Sequence, residues 1–191
     1  LIASNKSVKE IADFIQVEAL TPGLRRLLHE LNVPLRVFSA CFGWDAQSLS
    51  AVETLFAELR PGVNKWRELL ELIDETARRD GIKAADILFR QEIQSIREAG
   101  MSSHEKYDQI HQTLYQWRYP ALSGMKRRVL LTLDKLKLDD KIKIRAAENF
   151  ENGEIKVEFK FTTQEELKKY VEQLQGVSGS ESMAALIKFF K

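Results

Sequence analysis

The sequence predicts an α+β protein that is mainly α, with a multi-helix domain over residues 1–119 and a small β-β-α domain over residues 120–191. Two observations carry this prediction. Apolar residues recur on a 3.6-residue period as far as Leu136, each stretch bounded by cap and stop residues; the period then falls to two across Lys141–Arg145 and Ile155–Phe161. A segment RYPALSG, Arg118 to Gly124, interrupts the helical regime and is read as the domain boundary.

Taken in order, Ser7 to Ile15 reads as a short helix with Val8, Ile11, Ala12 and Ile15 on one side. Thr21 caps the next, with Pro22 in its first turn and Leu24, Leu27, Leu28 and Leu31 inward. Pro34 opens a short element through Leu35, Val37, Phe38, Cys41 and Phe42, expected to be the most buried of the early helices. Asp45 caps a fourth, striped by Leu49, Val52, Leu55, Phe56 and Leu59. The clearest punctuation follows. Pro61 and Gly62 break that helix, Asn64 is the expected cap of the next, and Trp66, Leu69, Leu70, Ile73 and Ala77 form one stripe. Arg67, Glu71, Asp74, Glu75 and Arg78 make its charged face, and Gly81 stops it. Ile82, Ala85, Leu88 and Phe89 begin another stripe, in a helix that Gly100 ends. Ser102 and Glu105 make a capping box for a helix carrying Tyr107, Ile110, Leu114 and Trp117.

Beyond the boundary a helix is expected with Met125, Val129, Leu133 and Leu136 inward. Lys126, Arg127 and Arg128 are grouped at its start, where cations oppose the helix dipole and so need another explanation. Ile142 and Ile144 alternate with Lys141, Lys143 and Arg145, and Ile155, Val157, Phe159 and Phe161 alternate with Lys156, Glu158 and Lys160. Asn149 to Gly153 supplies a hairpin turn. A second capping box, Thr163 with Glu166, starts a helix striped by Leu167, Tyr170, Val171 and Leu174. Gly176 to Ser180 reads as a flexible linker before an apolar tail, Met183 to Phe190, which forms a last helix docking on this domain or on a partner.

Composition narrows the function classes. With 44% hydrophobic and 30% charged residues the chain is globular in type, and no apolar run approaches a membrane span, so a cytoplasmic location without membrane contact is expected. The start at Leu1 rather than methionine suggests a piece of a longer chain. A single cysteine, Cys41, allows no disulfide or cysteine-cluster zinc site within these residues, and its apolar surroundings point to a buried structural thiol. No glycine-rich phosphate loop follows a strand. His104 and His111 stand one heptad apart with Asp108 between them; solvated side chains are the ordinary reading of such a pair, a weak metal site the alternative. The expectation is a non-enzymatic protein with no cofactor and no metal.

Net charge is +1, but residues 120–191 carry fourteen basic against eleven acidic side chains, so the bias is local. Alternation puts Lys141, Lys143, Arg145, Lys156 and Lys160 on one face of the hairpin, with Glu158 the acid among them. Such a face suits phosphates without reading bases; it equally suits a solvated sheet face kept unpaired by lysine. Lys126, Arg127 and Arg128 join it as candidate phosphate contacts.

Several stretches resemble ParB-like chromosome partition proteins, in the region that follows their N-terminal domain. SVKEIADFI is similar to the opening helix of their helix-turn-helix, and LTPGLRRLLHELNVPLR to the helices after it. NKWRELLELIDETARRDGI, RYPALSG and FKFTTQEELKKYVEQL resemble segments of a divergent branch. Gln16, Val17 and Glu18 stand where the family has a glycine turn and a polar recognition helix, and no G-E-R-R motif occurs in these residues. The resemblance implies a DNA-associated protein, in chromosome or plasmid partition or gene regulation, lacking the family's nucleotide-binding domain. It also implies a homodimer. A second copy of the C-terminal unit would cover Phe159, Phe161 and the stripe from Leu167 to Leu174, although the helix before the hairpin or the apolar tail could cover them instead. A protein-binding adaptor without nucleic acid is the alternative function.

Overall fold

A computed structural model of the chain describes residues 17, 18, 20–146 and 155–189. The expected helix Ser7–Ile15, with its helix-turn-helix-like start, and the turn Asn149–Gly153 lie outside the described residues. The protein is mainly helical with one small antiparallel sheet, an α+β fold. It divides into two compact units, residues 1–120 and 121–191.

In the first unit, α1 (Pro22–Glu30) begins where Thr21 Oγ1 accepts a hydrogen bond from the Leu24 amide, and Leu24 is fully buried. Leu35–Cys41 is a 3-10 helix. At three residues per turn, Leu35, Phe38 and Cys41 eclipse in one row and Val37 with Ala40 in the next, leaving Arg36 and Ser39 exposed. Three of its seven residues are buried, whereas α2 (Ala46–Leu59), capped by Asp45 on the Ser48 amide, buries seven of fourteen; the 3-10 segment is therefore not the more buried of the two.

The organising element is α3 (Val63–Asp80), which packs on the 3-10 helix, on α4 (Ala84–Leu88) and on α6 (Ser103–Arg118). Trp66, Leu69, Leu70, Ile73 and Ala77 are all buried, and Leu72 and Thr76 widen the stripe. Two expectations fail here. The helix starts one residue before Asn64, on Gly62 with no side-chain cap, so the Asn64 carboxamide is not the cap. Asp74 is not on a solvent face: it is 9% exposed, accepting a 3.0 Å hydrogen bond from Trp44 Nε1 and pairing with Arg78. Gly81, at φ 65°, closes the helix in the left-handed conformation that glycine adopts without a Cβ clash.

The single helix expected over 82–100 is two, α4 and α5 (Gln91–Glu98). Its stripe rotates as a result: Ala84 and Ile87 are buried with Ala85 and Leu88, and Phe89 is half exposed. The Ser102–Glu105 capping box forms reciprocally at the start of α6. Tyr107, Ile110 and Leu114 are buried there.

The second unit opens with α7 (Pro120–Lys135), so RYPALSG is mostly helix rather than a break. Proline at the first helical position lacks only an amide that has no intrahelical partner, and Ala121 and Leu122 favour the turn it starts. Lys126, Arg127 and Arg128 therefore sit beyond the first turn, and the conflict with the helix dipole disappears. Strands β1 (Lys143–Ala146) and β2 (Ile155–Glu158) pair antiparallel, Lys143 opposite Glu158, Ile144 opposite Val157 and Arg145 opposite Lys156.

Next, α8 (Gln164–Ser178) runs through the expected linker, and α9 (Glu181–Lys188) follows after Gly179 and the cap Ser180. Val177 explains the extension, since it packs against the unit's core and draws the chain into helix. That core is Val129, Leu136 and Leu186, with Leu133, Ile144, Ile155 and Phe189 around it. The apolar tail thus docks on its own domain. Val171, read as part of the inward stripe of α8, is 39% exposed.

Candidate nucleic-acid interface

Register determines which side chains share a face. Directly opposed residues of an antiparallel pair project to the same side, so Lys143, Arg145, Lys156 and Glu158 form one face and Ile144, Ile155 and Val157 the other. Ile144 and Ile155 pack into the core with α7, which directs the cationic face away from that helix. The structure does not merge the α7 cations with the hairpin set. Arg127 and Arg128 are exposed on α7, with the Arg128 guanidinium over the Phe189 ring, and Lys126 is partly buried.

Within the hairpin set, carboxylates hold three of the five cations. Lys141 lies before β1, where Ile142 N–H closes a turn on the Asp139 carbonyl, and its Nζ donates to Glu166 Oε1 at 3.1 Å. Arg145 pairs with Glu158 at 3.4 Å, and Lys156 also pairs with Glu158. The hydrogen bond from Lys156, with smaller contributions from Arg145 and Lys160, keeps the Glu158 carboxyl below its usual range. Lys143 and Lys160 have no ion-pair partner among the described residues. The five cations are thus two open ones and three that must be shared with acids.

Glu166 ties this region to α8. The Thr162 amide donates to Glu166 Oε2 at 2.8 Å and the Thr162 hydroxyl at 3.0 Å, while Thr163 Oγ1 accepts from the Glu166 amide. The expected box is therefore displaced: Glu166 reaches back to Thr162, one residue before the cap. The Thr162 amide first, then Lys141, pulls the Glu166 carboxyl down to about 2.

A groove of ≈ 960 Å³ runs along these residues, with Lys143, Arg145 and Lys160 beside Phe159, Phe161 and Glu166. Both phenylalanines had been expected in a core. Phe159 is partly buried, its ring meeting Tyr170 edge-on at 5.5 Å; Phe161 is 49% exposed, 6.3 Å from Phe159. The alternation that made Phe161 look inward ends with β2 at Glu158, so parity no longer applies to it.

No group of three histidine, cysteine or carboxylate side chains is placed to hold a metal among the described residues. His111 instead stacks between Tyr107 and Tyr115 and approaches Glu68 of α3 at 3.8 Å. His104 lies 3.1 Å from Lys65. Burial, with the Asp74 carboxylate adding to it, raises the Cys41 thiol far above its usual range, the state of an inert structural cysteine. No helix among the described residues is long and apolar enough to cross a membrane. No protein-family model, no curated protein and no solved structure matches the chain.

Proposed function

We propose that the chain is a non-enzymatic, DNA-associated protein of the ParB-like kind, acting in the cytoplasm, that holds phosphates on the hairpin face of its C-terminal unit. The observation that carries this reading is the register that puts Lys143, Arg145 and Lys156 on one side of the sheet, with Lys160, two residues past the end of β2, lining the same groove as Lys143 and Arg145. The resemblance of the helical segments to partition proteins gives the same direction. Because Glu158 and Glu166 already hold three cations, few phosphates are neutralised and the affinity is modest and steeply salt-sensitive only in proportion to that small number.

An electrophoretic mobility shift with DNA at about 50 mM salt, where phosphate contacts are strongest, tests it. Retardation by the wild type, lost in the double variant Lys143→Glu with Lys160→Glu, is expected. No shift at that salt would leave the adaptor reading in its place.

The same proposal includes a homodimer through the C-terminal unit. Phe159 is met by Tyr170 within the chain, so the aromatic pair does not by itself require a partner. The apolar surface that remains is elsewhere: Leu130 is 61% and Leu131 52% exposed on α7. A second copy placed there buries both and leaves the hairpin face open, giving two cationic faces per assembly. Sedimentation equilibrium at micromolar concentration should show a dimer, and Leu130→Glu with Leu131→Glu a 22.0 kDa monomer. A wild-type monomer would remove this part.

A further inference from the structure

Resting on the phosphate-binding reading above, we infer that the hairpin groove takes single-stranded nucleic acid, with an unpaired base stacked on Phe161. Two facts about the groove separate this from contact with a duplex. The first is the aromatic surface. Phe161 exposes 49% of its area between Lys160 and Thr162, and its position is fixed from both sides. Upstream, β2 pairs with β1 as far as Glu158; downstream, the Thr162 amide and hydroxyl are held by Glu166. Behind it, Phe159 stands 6.3 Å away and is itself braced by Tyr170. A ring held this way loses little freedom when a base settles on it. Duplex bases are already stacked on each other and present only edges and phosphates, so they cannot use this face without being forced apart.

The second fact is the charge. Lys143 and Lys160 are the groove cations that make no ion pair among the described residues, Lys160 acting on Glu158 only through its charge, and Asp140, Glu158 and Glu166 share the groove with them. Two open cations among three acids make a small footprint for the phosphate density of a duplex. They match a single strand better, where base stacking supplies part of the affinity and phosphates the remainder. The groove's ≈ 960 Å³ has room for a nucleotide beside the ring.

Fluorescence anisotropy of the full chain with a labelled oligothymidylate and with a labelled duplex of equal length decides it. The wild type should bind the single strand more tightly than the duplex. Phe161→Ala should weaken single-strand binding about tenfold, the loss of one base–aromatic stack, with duplex binding unchanged. Phe161→Leu should lose as much, since it keeps an apolar side chain without the π face; both changes are at a half-exposed site, and an unaltered circular dichroism spectrum checks the fold. Lys160→Gln should lower the slope of log K against log salt for the single strand by about 0.7, one phosphate contact. Equal affinity for the two probes with Phe161→Ala silent would overturn the stacking site while leaving the phosphate reading intact. Full retention in Phe161→Leu would overturn it too, and binding of neither probe would overturn both readings.

Discussion

Trp66 has none of its surface exposed, and Phe38 and Phe56 lie against its ring, Phe38 at a centroid distance of 5.3 Å. Removing the indole opens a cavity that helices on several sides cannot collapse into together, so Trp66→Ala should cost about 3–5 kcal/mol, read as a lowered midpoint in urea denaturation followed by circular dichroism. An unchanged midpoint would show that the stripe of α3 is not the core. Its Nε1 has no hydrogen-bond partner among the described residues, so Trp66→Phe should cost less than Trp66→Ala, losing volume but also an unpaired buried donor. Trp66 was legible because its neighbours at i+3, i+4 and i+7 are all apolar. Asp74 was not. A helical wheel sets it beside Glu75 and Arg78, but its partner Trp44 is thirty residues away and reaches it only once the chain has folded. Local periodicity says which face an acid is near, not whether a distant donor will cover it.

Among the elements, those bounded by short-range chemistry were readable and those decided by packing were not. Thr21, Asp45, Ser102 and Thr163 cap as their side chains predict, because the acceptor and the free amide lie three residues apart in sequence. The first three residues of glycine-rich GVSGS instead became helix, drawn in by the packing of Val177, and only Gly179 and Ser180 separate α8 from α9. At the start of α8 the Glu166 carboxyl, lowered to about 2 from an ordinary 4.5, links pH to stability. A depressed folded value means that stability is fully present above about pH 4.5 and is lost as pH falls towards 2, when the proton displaces Thr162 and Lys141. Glu166→Gln should abolish this component. In carbon-detected titration of the wild type, Glu166 should still be ionised at pH 3; a titration near the ordinary value would show that Thr162 and Lys141 do not hold it. Asp139, bonded by Lys169, is lowered in the same direction, so the melting temperature of the variant should still fall in acid, but by less.

At the scale of the molecule, the two units differ in how much they bury. Among the described residues, twenty-six buried apolar side chains lie in the first unit and five, Val129, Leu136, Ile142, Tyr170 and Leu186, in the second. Of the seven large apolar side chains that stand exposed among the described residues, six belong to the smaller unit. Burial scales the hydrophobic contribution, so the C-terminal unit should unfold first, and the chain should not behave as a single two-state system. Its residues make this directly visible. All three tryptophans, Trp44, Trp66 and Trp117, lie in the first unit, whereas helices α7, α8 and α9 contribute to circular dichroism from the second. Thermal melts should therefore give a circular dichroism curve with an early loss that tryptophan fluorescence does not follow. If the C-terminal unit also dimerises through Leu130 and Leu131, the early step should move upward in temperature as protein concentration rises, because only the folded unit presents that surface. A late step independent of concentration is expected alongside it. Coincident curves from both probes would mean that the smaller unit draws its stability from the larger, and that five buried side chains are not a separate core.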